Sequence, residues 1–190
     1  MESPLTSSRT LAVCFAVLKA IDRRVGHLRR AVLARAALPD AHGIKIIVIP
    51  RDEEPLAIAK LTEVVRFLAD ADPVAFRQIR RQVDYLAVRR FRKGPAVRLD
   101  VPLGAILLSP GIVRQCHRDE LAAELIAQAL QLRFERHGFD ERSPYHDRVA
   151  LHLLRVRVSA LTRYPYGAKA LVHWAPLLEA LQGRLRASAA

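Results

Sequence analysis

Cysteine is nearly absent. The 190 residues contain two, Cys14 and Cys116, which excludes a disulfide framework and any cysteine-based metal spacing. A reduced, cytoplasmic setting is the expectation that follows. Long hydrophobic runs are missing as well. The N-terminus has one short apolar run, 11–18, broken by Lys19; it is too short to span a bilayer, and no small-residue cleavage pattern follows it. Neither a signal peptide nor a transmembrane segment is expected, and a peripheral membrane contact of this run stays open. No Gly-rich loop is present to cradle a phosphate. Ser109 precedes Pro110 and Gly111, which is not a nucleophile-elbow pattern. There is no internal repeat, no low-complexity segment and no Gly/Ser linker.

Acids are also in the minority. Asp and Glu number 19 against 31 Lys and Arg, for a net charge of +12. Of the basic residues, 26 are Arg. Such a balance bears on solubility and association with polyanions, not on fold. Hydrophobic residues make up 51%, a folded composition, and the length suits one domain with one well-buried core.

What is present is a strong central helix, 119–139. Leu121, Leu125, Ile126, Ala129, Leu130, Leu132 and Phe134 make its middle apolar nearly all round, as an interior helix requires. Asp119 is expected to cap its start, with Glu120 at the positive end of the dipole. Arg133, Arg136 and His137 fill the last turn, Gly138 is a left-handed stop, and Phe139 can fold back onto Phe134. Two amides, Gln128 and Gln131, sit inside this apolar rod.

The rest of the chain is arranged around it. Residues 1–9 read as a loose tail and 10–37 as an amphipathic helix whose seam is Leu11, Cys14, Leu18, Ile21, Val25, Leu28 and Val32. That seam packs on its own domain or forms a helix–helix interface. Residues 44–49 form a buried strand. Asp52, Glu53 and Glu54 before Pro55 mark an acidic helix start, and the helix runs over 56–69. Asp72-Pro73 begins another, to about Val83. Strands follow at 85–91 and 96–101, joined by a hairpin turn at Arg92-Lys93-Gly94-Pro95, and a third at 104–109. Ser143-Pro144 starts a helix to about Tyr164, and a last one covers 168–186 before a short tail, 187–190. The order reads as α+β, with helices around a small, mostly antiparallel sheet.

The segment 69–161, with its strand pair, its GAILLSP stretch and its ERHG helix stop, resembles small bacterial metallopeptidase-like proteins of the zincin (gluzincin) type. In that family the active helix carries His-Glu-x-x-His. Two His four apart share one zinc, the Glu polarises the bound water, and a Glu on the next helix is the third ligand. The resemblance places the first His at Ala127, the Glu at Gln128, the second His at Gln131 and the third ligand at Ala150. None of the four carries its chemistry. The resemblance thus implies a zincin-like core over 38–186 that is catalytically inactive, holds no metal or other cofactor, and acts by binding an unidentified protein partner or a second copy.

Two alternatives stand beside this reading. Arg77, Arg80, Arg81, Arg89, Arg90, Arg92, Lys93 and Arg98, with Tyr85 and Phe91 interleaved, can track a phosphate backbone in a nucleic-acid module or meet an anionic surface. The plainer reading of these cations is protection of strand edges. A hydrolase with a rearranged metal site would draw on His137, His146 and His152, near Glu135, Asp140, Glu141 and Asp147.

Overall fold

The computed structural model describes residues 40–49, 51–139 and 143–187. All of these residues belong to the unit Pro39–Ala190. The N-terminal seam (Leu11, Leu18, Ile21, Val25, Leu28, Val32) therefore lies outside the described residues, as do Asp140 and Glu141.

The described residues form an α+β domain: six helices packed against a five-stranded mixed sheet. The strands are β1 (Asp40–Ala41), β2 (Ile44–Val48), β3 (Tyr85–Val88), β4 (Val97–Asp100) and β5 (Ala105–Leu108), in the order β1-β2-β3-β5-β4. A single turn of 3-10 helix, Arg51–Glu53, leads into α1 (Glu54–Ala71). The other helices are α2 (Pro73–Gln82), α3 (Pro110–Gln115), α4 (Arg118–Arg136), α5 (His146–Arg163) and α6 (Ala168–Ala187).

The sheet departs from the sequence expectation in two ways. Its central pairings, β2 with β3 and β3 with β5, are parallel, and only the outer pairs are antiparallel. The expected hairpin between 85–91 and 96–101 does not form, because β5 lies between those two strands. The true hairpin joins β4 to β5, and Asp100 Oδ1 accepts the Leu103 N–H in its turn. Burial explains the order. Ala105-Ile106-Leu107-Leu108 is wholly apolar and nearly all buried, which suits an interior parallel strand. Val97-Arg98-Leu99-Asp100 alternates and is half-buried throughout, which suits an edge. At the opposite edge, His42 and Gly43 turn β1 into β2 with φ of 52° and 88°. Both central positions of such a two-residue turn need positive φ, so Gly is the natural second residue.

The core is built between the sheet and the first helices. Ile44, Ile46, Leu86, Val88, Ile106 and Leu108 meet Leu61, Val64, Val65 and Leu68 of α1 and Leu121, Leu125 and Leu132 of α4. Seven consecutive residues of α4, Leu121 to Ala127, are buried, which is the all-round burial its composition calls for. Its end follows the expected stop: Gly138 has φ 84°, Phe139 N–H donates to the Phe134 carbonyl, and the two rings meet edge-on at 6.2 Å.

Its start does not follow expectation. The N-cap is His117, whose Nδ1 accepts the Asp119 N–H. Asp119 lies inside the first turn and is fully buried. Its Oδ1 takes Arg118 Nε at 3.2 Å and its Oδ2 takes the Tyr166 N–H at 2.8 Å, so it fixes the α5–α6 turn onto the start of α4. At that turn a Cβ on Gly167 would stand 2.0 Å from the Leu161 carbonyl oxygen, so only glycine fits. Helix α5 also begins later than Ser143-Pro144 suggests. Ser143 Oγ accepts the Tyr145 N–H in a turn that precedes His146. Among the described residues no helix is long and apolar enough to cross a membrane.

Candidate functional site

Ala127, Gln128 and Gln131 share one face of α4, because residues three and four apart on a helix are neighbours. Ala150 lies on α5, packed alongside. All four positions line one open hollow of about 350 Å³ between α4, α5 and α6. Its other walls are Leu153, Leu154 and Arg157 of α5 and Trp174, Leu177, Leu181 and Arg184 of α6. Helix α6 offers little to the core, where Ala170 is its only buried residue, and it leaves Val172 and Leu177 72% and 53% exposed. It also carries Pro176, which cannot donate back to the preceding turn.

The polar groups of the hollow are tied into α4. Gln128 Nε2 donates to Glu124 Oε1 at 2.8 Å, one turn back, and Gln131 Nε2 donates to Glu135 Oε1 at 2.9 Å, one turn on. Glu124 is buried, and its second oxygen holds Arg157 Nη2 at 2.6 Å. The Arg157 guanidinium in turn lies 4.1 Å from the centre of the Trp174 ring. One chain of contacts, Gln128–Glu124–Arg157–Trp174, thus crosses from α4 through α5 to α6. The sequence reading missed Glu124, Arg157 and Trp174. A signal was there: Ala150, Leu154 and Arg157 are spaced as one helical face, and Glu124 stands four before Gln128.

This donor set does not fit a zinc ion. Two of the four positions are alanines with no donor atom, and both amides are neutral and already engaged with carboxylates. The alternative histidines do not replace them. His137 Nδ1 is bonded to the Arg133 carbonyl at 2.7 Å, His152 packs edge-on against Phe134, and His146 opens α5. Among the described residues no three His, Cys, Asp or Glu side chains converge as a metal site.

The basic run from Arg77 to Arg98 is divided by the fold. Arg77, Arg80 and Arg81 lie on α2, which leads into the amino end of β3, and the Arg80 guanidinium packs over Gly43. Arg89, Arg90, Arg92 and Lys93 follow the carboxyl end of β3, at the opposite end of the sheet. Several are also occupied. Arg90 pairs with Asp52 at 2.5 Å, and Arg98 donates to the Lys93 carbonyl while stacking 4.5 Å over Phe91. Tyr85 is buried in β3, so it offers no face to a base. The eight cations form two groups rather than one track. Arg98 on the edge strand β4 fits the edge-protection reading. The acids of the first helix start are likewise structural: Asp52 holds Arg90, and Glu53 holds Arg114 at 3.2 Å.

Cys116, at the end of α3, is half-buried beside Glu120. Burial first, then the charge and hydrogen bond of Glu120, push its thiol up to about 12. The thiolate is the reactive form. In a Cys14→Ser background at pH 8, alkylation of Cys116 should therefore run at least about tenfold slower in the native protein than in urea. The native thiol also keeps its proton where the unfolded one loses it. The stability from this group is complete below the unfolded value near 9.0 and falls as pH rises toward 12. Rapid native labelling at pH 8 would contradict this.

No family model, no curated protein and no solved structure matches the chain.

Proposed function

We propose that the protein is a non-catalytic, zincin-like domain that works by binding, through the hollow between α4, α5 and α6. One observation carries this reading. The four positions that the resemblance assigns to the ligands and the general base line a single hollow, and they hold Ala, Gln, Gln and Ala. A hollow of this kind supplies shape and hydrogen bonds but neither a Lewis acid nor an activated water. Its walls suit an apolar group: Leu153, Leu154, Leu177 and Leu181 surround two side-chain amides and two guanidinium groups. The exposed Leu177 extends that apolar surface outward along α6.

The test is an assay of peptide and ester hydrolysis with added zinc, with and without chelator. The expected result is no chelator-sensitive turnover, and the same background rate for Gln128→Ala. Turnover that Gln128→Ala abolishes would overturn the proposal, because it would place a catalytic group where the reading has none.

A further inference from the structure

On the other side of α4 lies a second pocket of about 350 Å³, formed with α2 and separate from the hollow above. From the geometry we infer that it binds a small amphiphilic anion, an aliphatic carboxylate, with its head between Arg81 and Arg133 and its chain along the cleft. The two helices run side by side in the same direction: Arg136 at the end of α4 donates to Gln82 at the end of α2. Their last turns therefore bring Arg81, Arg133 and His137 to one end of the pocket. The floor is Ile79, Ile126, Ala129 and Leu130, aliphatic and without an aromatic ring.

Two features make this end a seat for an anion. No carboxylate among the described residues lines the pocket. Neither Arg81 nor Arg133 has an ion-pair partner among the described residues, whereas Arg90, Arg114, Arg118, Arg157 and Arg163 all do. The His137 ring is held by Nδ1–H donating to the Arg133 carbonyl, which leaves Nε2 an acceptor in the neutral ring, so the two guanidinium groups alone form the seat. Both helix ends that meet here oppose the anion, an opposition lessened where Gly138 and Phe139 N–H groups take the carbonyls of Glu135 and Phe134 on α4 and the Val83 N–H takes that of Ile79 on α2. A guanidinium fork matches the planar carboxylate, and the aliphatic floor removes chain methylenes from water. Arg77 and Arg80 lie on the same helix but do not line the pocket, so the selection of Arg81 is geometric rather than a matter of net charge.

The experiment is calorimetric titration of the full chain with sodium decanoate below its micelle concentration. Acetate serves as the head without the chain, and decan-1-ol as the chain without the head. Decanoate should bind saturably at one site, at least about tenfold more tightly than either control, and more weakly as salt rises. Arg81→Gln with Arg133→Gln, both exposed and outside the core, should leave the melting temperature in place and weaken decanoate about tenfold or more. Arg77→Gln with Arg80→Gln removes the same formal charge and should leave affinity nearly unchanged. Equal loss in both double variants would reduce the effect to net charge and overturn the site. So would absence of saturable binding, or decan-1-ol binding as tightly as decanoate. Vesicles doped with a fatty acid form a further arm. Binding to them without binding to free decanoate would replace the pocket by a membrane surface.

Discussion

Arg157→Ala should destabilise the domain by about 2–4 kcal/mol, a loss of roughly 5–15 °C in melting temperature for a chain of this size. The reason is the company that Arg157 keeps. Its side chain is 12% exposed, and it neutralises Glu124, which is itself buried. Removing one member of a buried pair leaves the other charged, desolvated and unpaired. The substitution also strips a cation from the face of Trp174, worth about 0.5–2 kcal/mol at such sites. Glu124→Gln should cost less, because its amide oxygen can still accept from Gln128. The double variant Glu124→Gln with Arg157→Ala should recover part of the sum, since neither partner is then left as a lone buried charge. Urea unfolding of the two singles and the double checks this. A loss under about 1 kcal/mol for Arg157→Ala, or strict additivity in the cycle, would show that the pair is not the join between α4 and α5.

That pair also shows where the sequence was legible and where it was not. Elements carried by local signals came through. The apolar rod of α4, its Gly138 stop, and the Asp72-Pro73 start of α2, where Asp72 accepts the Ala75 N–H, are written in neighbouring residues. Features set by distant partners did not. Asp119 looks like a cap, but the Tyr166 N–H from 47 residues away draws it into the interior, and His117 caps instead. The Arg92-Lys93-Gly94-Pro95 stretch looks like a hairpin turn. The more apolar β5 takes the place beside β3, however, and pushes β4 to the edge. Strand order is a competition for burial among segments, and local alternation does not record its outcome.

The candidate site divides along the same line. Ala127, Gln128, Gln131 and Ala150 were placed by the resemblance alone, and one hollow gathers all four. The wall contributed by α6 was invisible, because Trp174 and Leu177 reach the hollow through tertiary packing that no spacing in 168–186 announces. The basic run was legible as composition and misleading as a surface. Its members are close in sequence, but β3 passes between them and sends one group to each end of the sheet.

On the proposed reading, Ala127, Gln131 and Ala150 stand around this hollow where metal ligands would stand. Changing Ala127 and Gln131 to His and Ala150 to Glu supplies two imidazoles four apart on α4 and a carboxylate from α5, with a fourth position open. Zinc titration of this triple variant beside the parent is the most direct measurement, with far-UV circular dichroism to establish that both are folded. The triple variant should take up one zinc per chain and gain about 2.7 kcal/mol when zinc stands at a hundred times its Kd, while the parent neither binds nor shifts. A folded triple variant that ignores zinc, or a parent that holds one equivalent, would contradict the account.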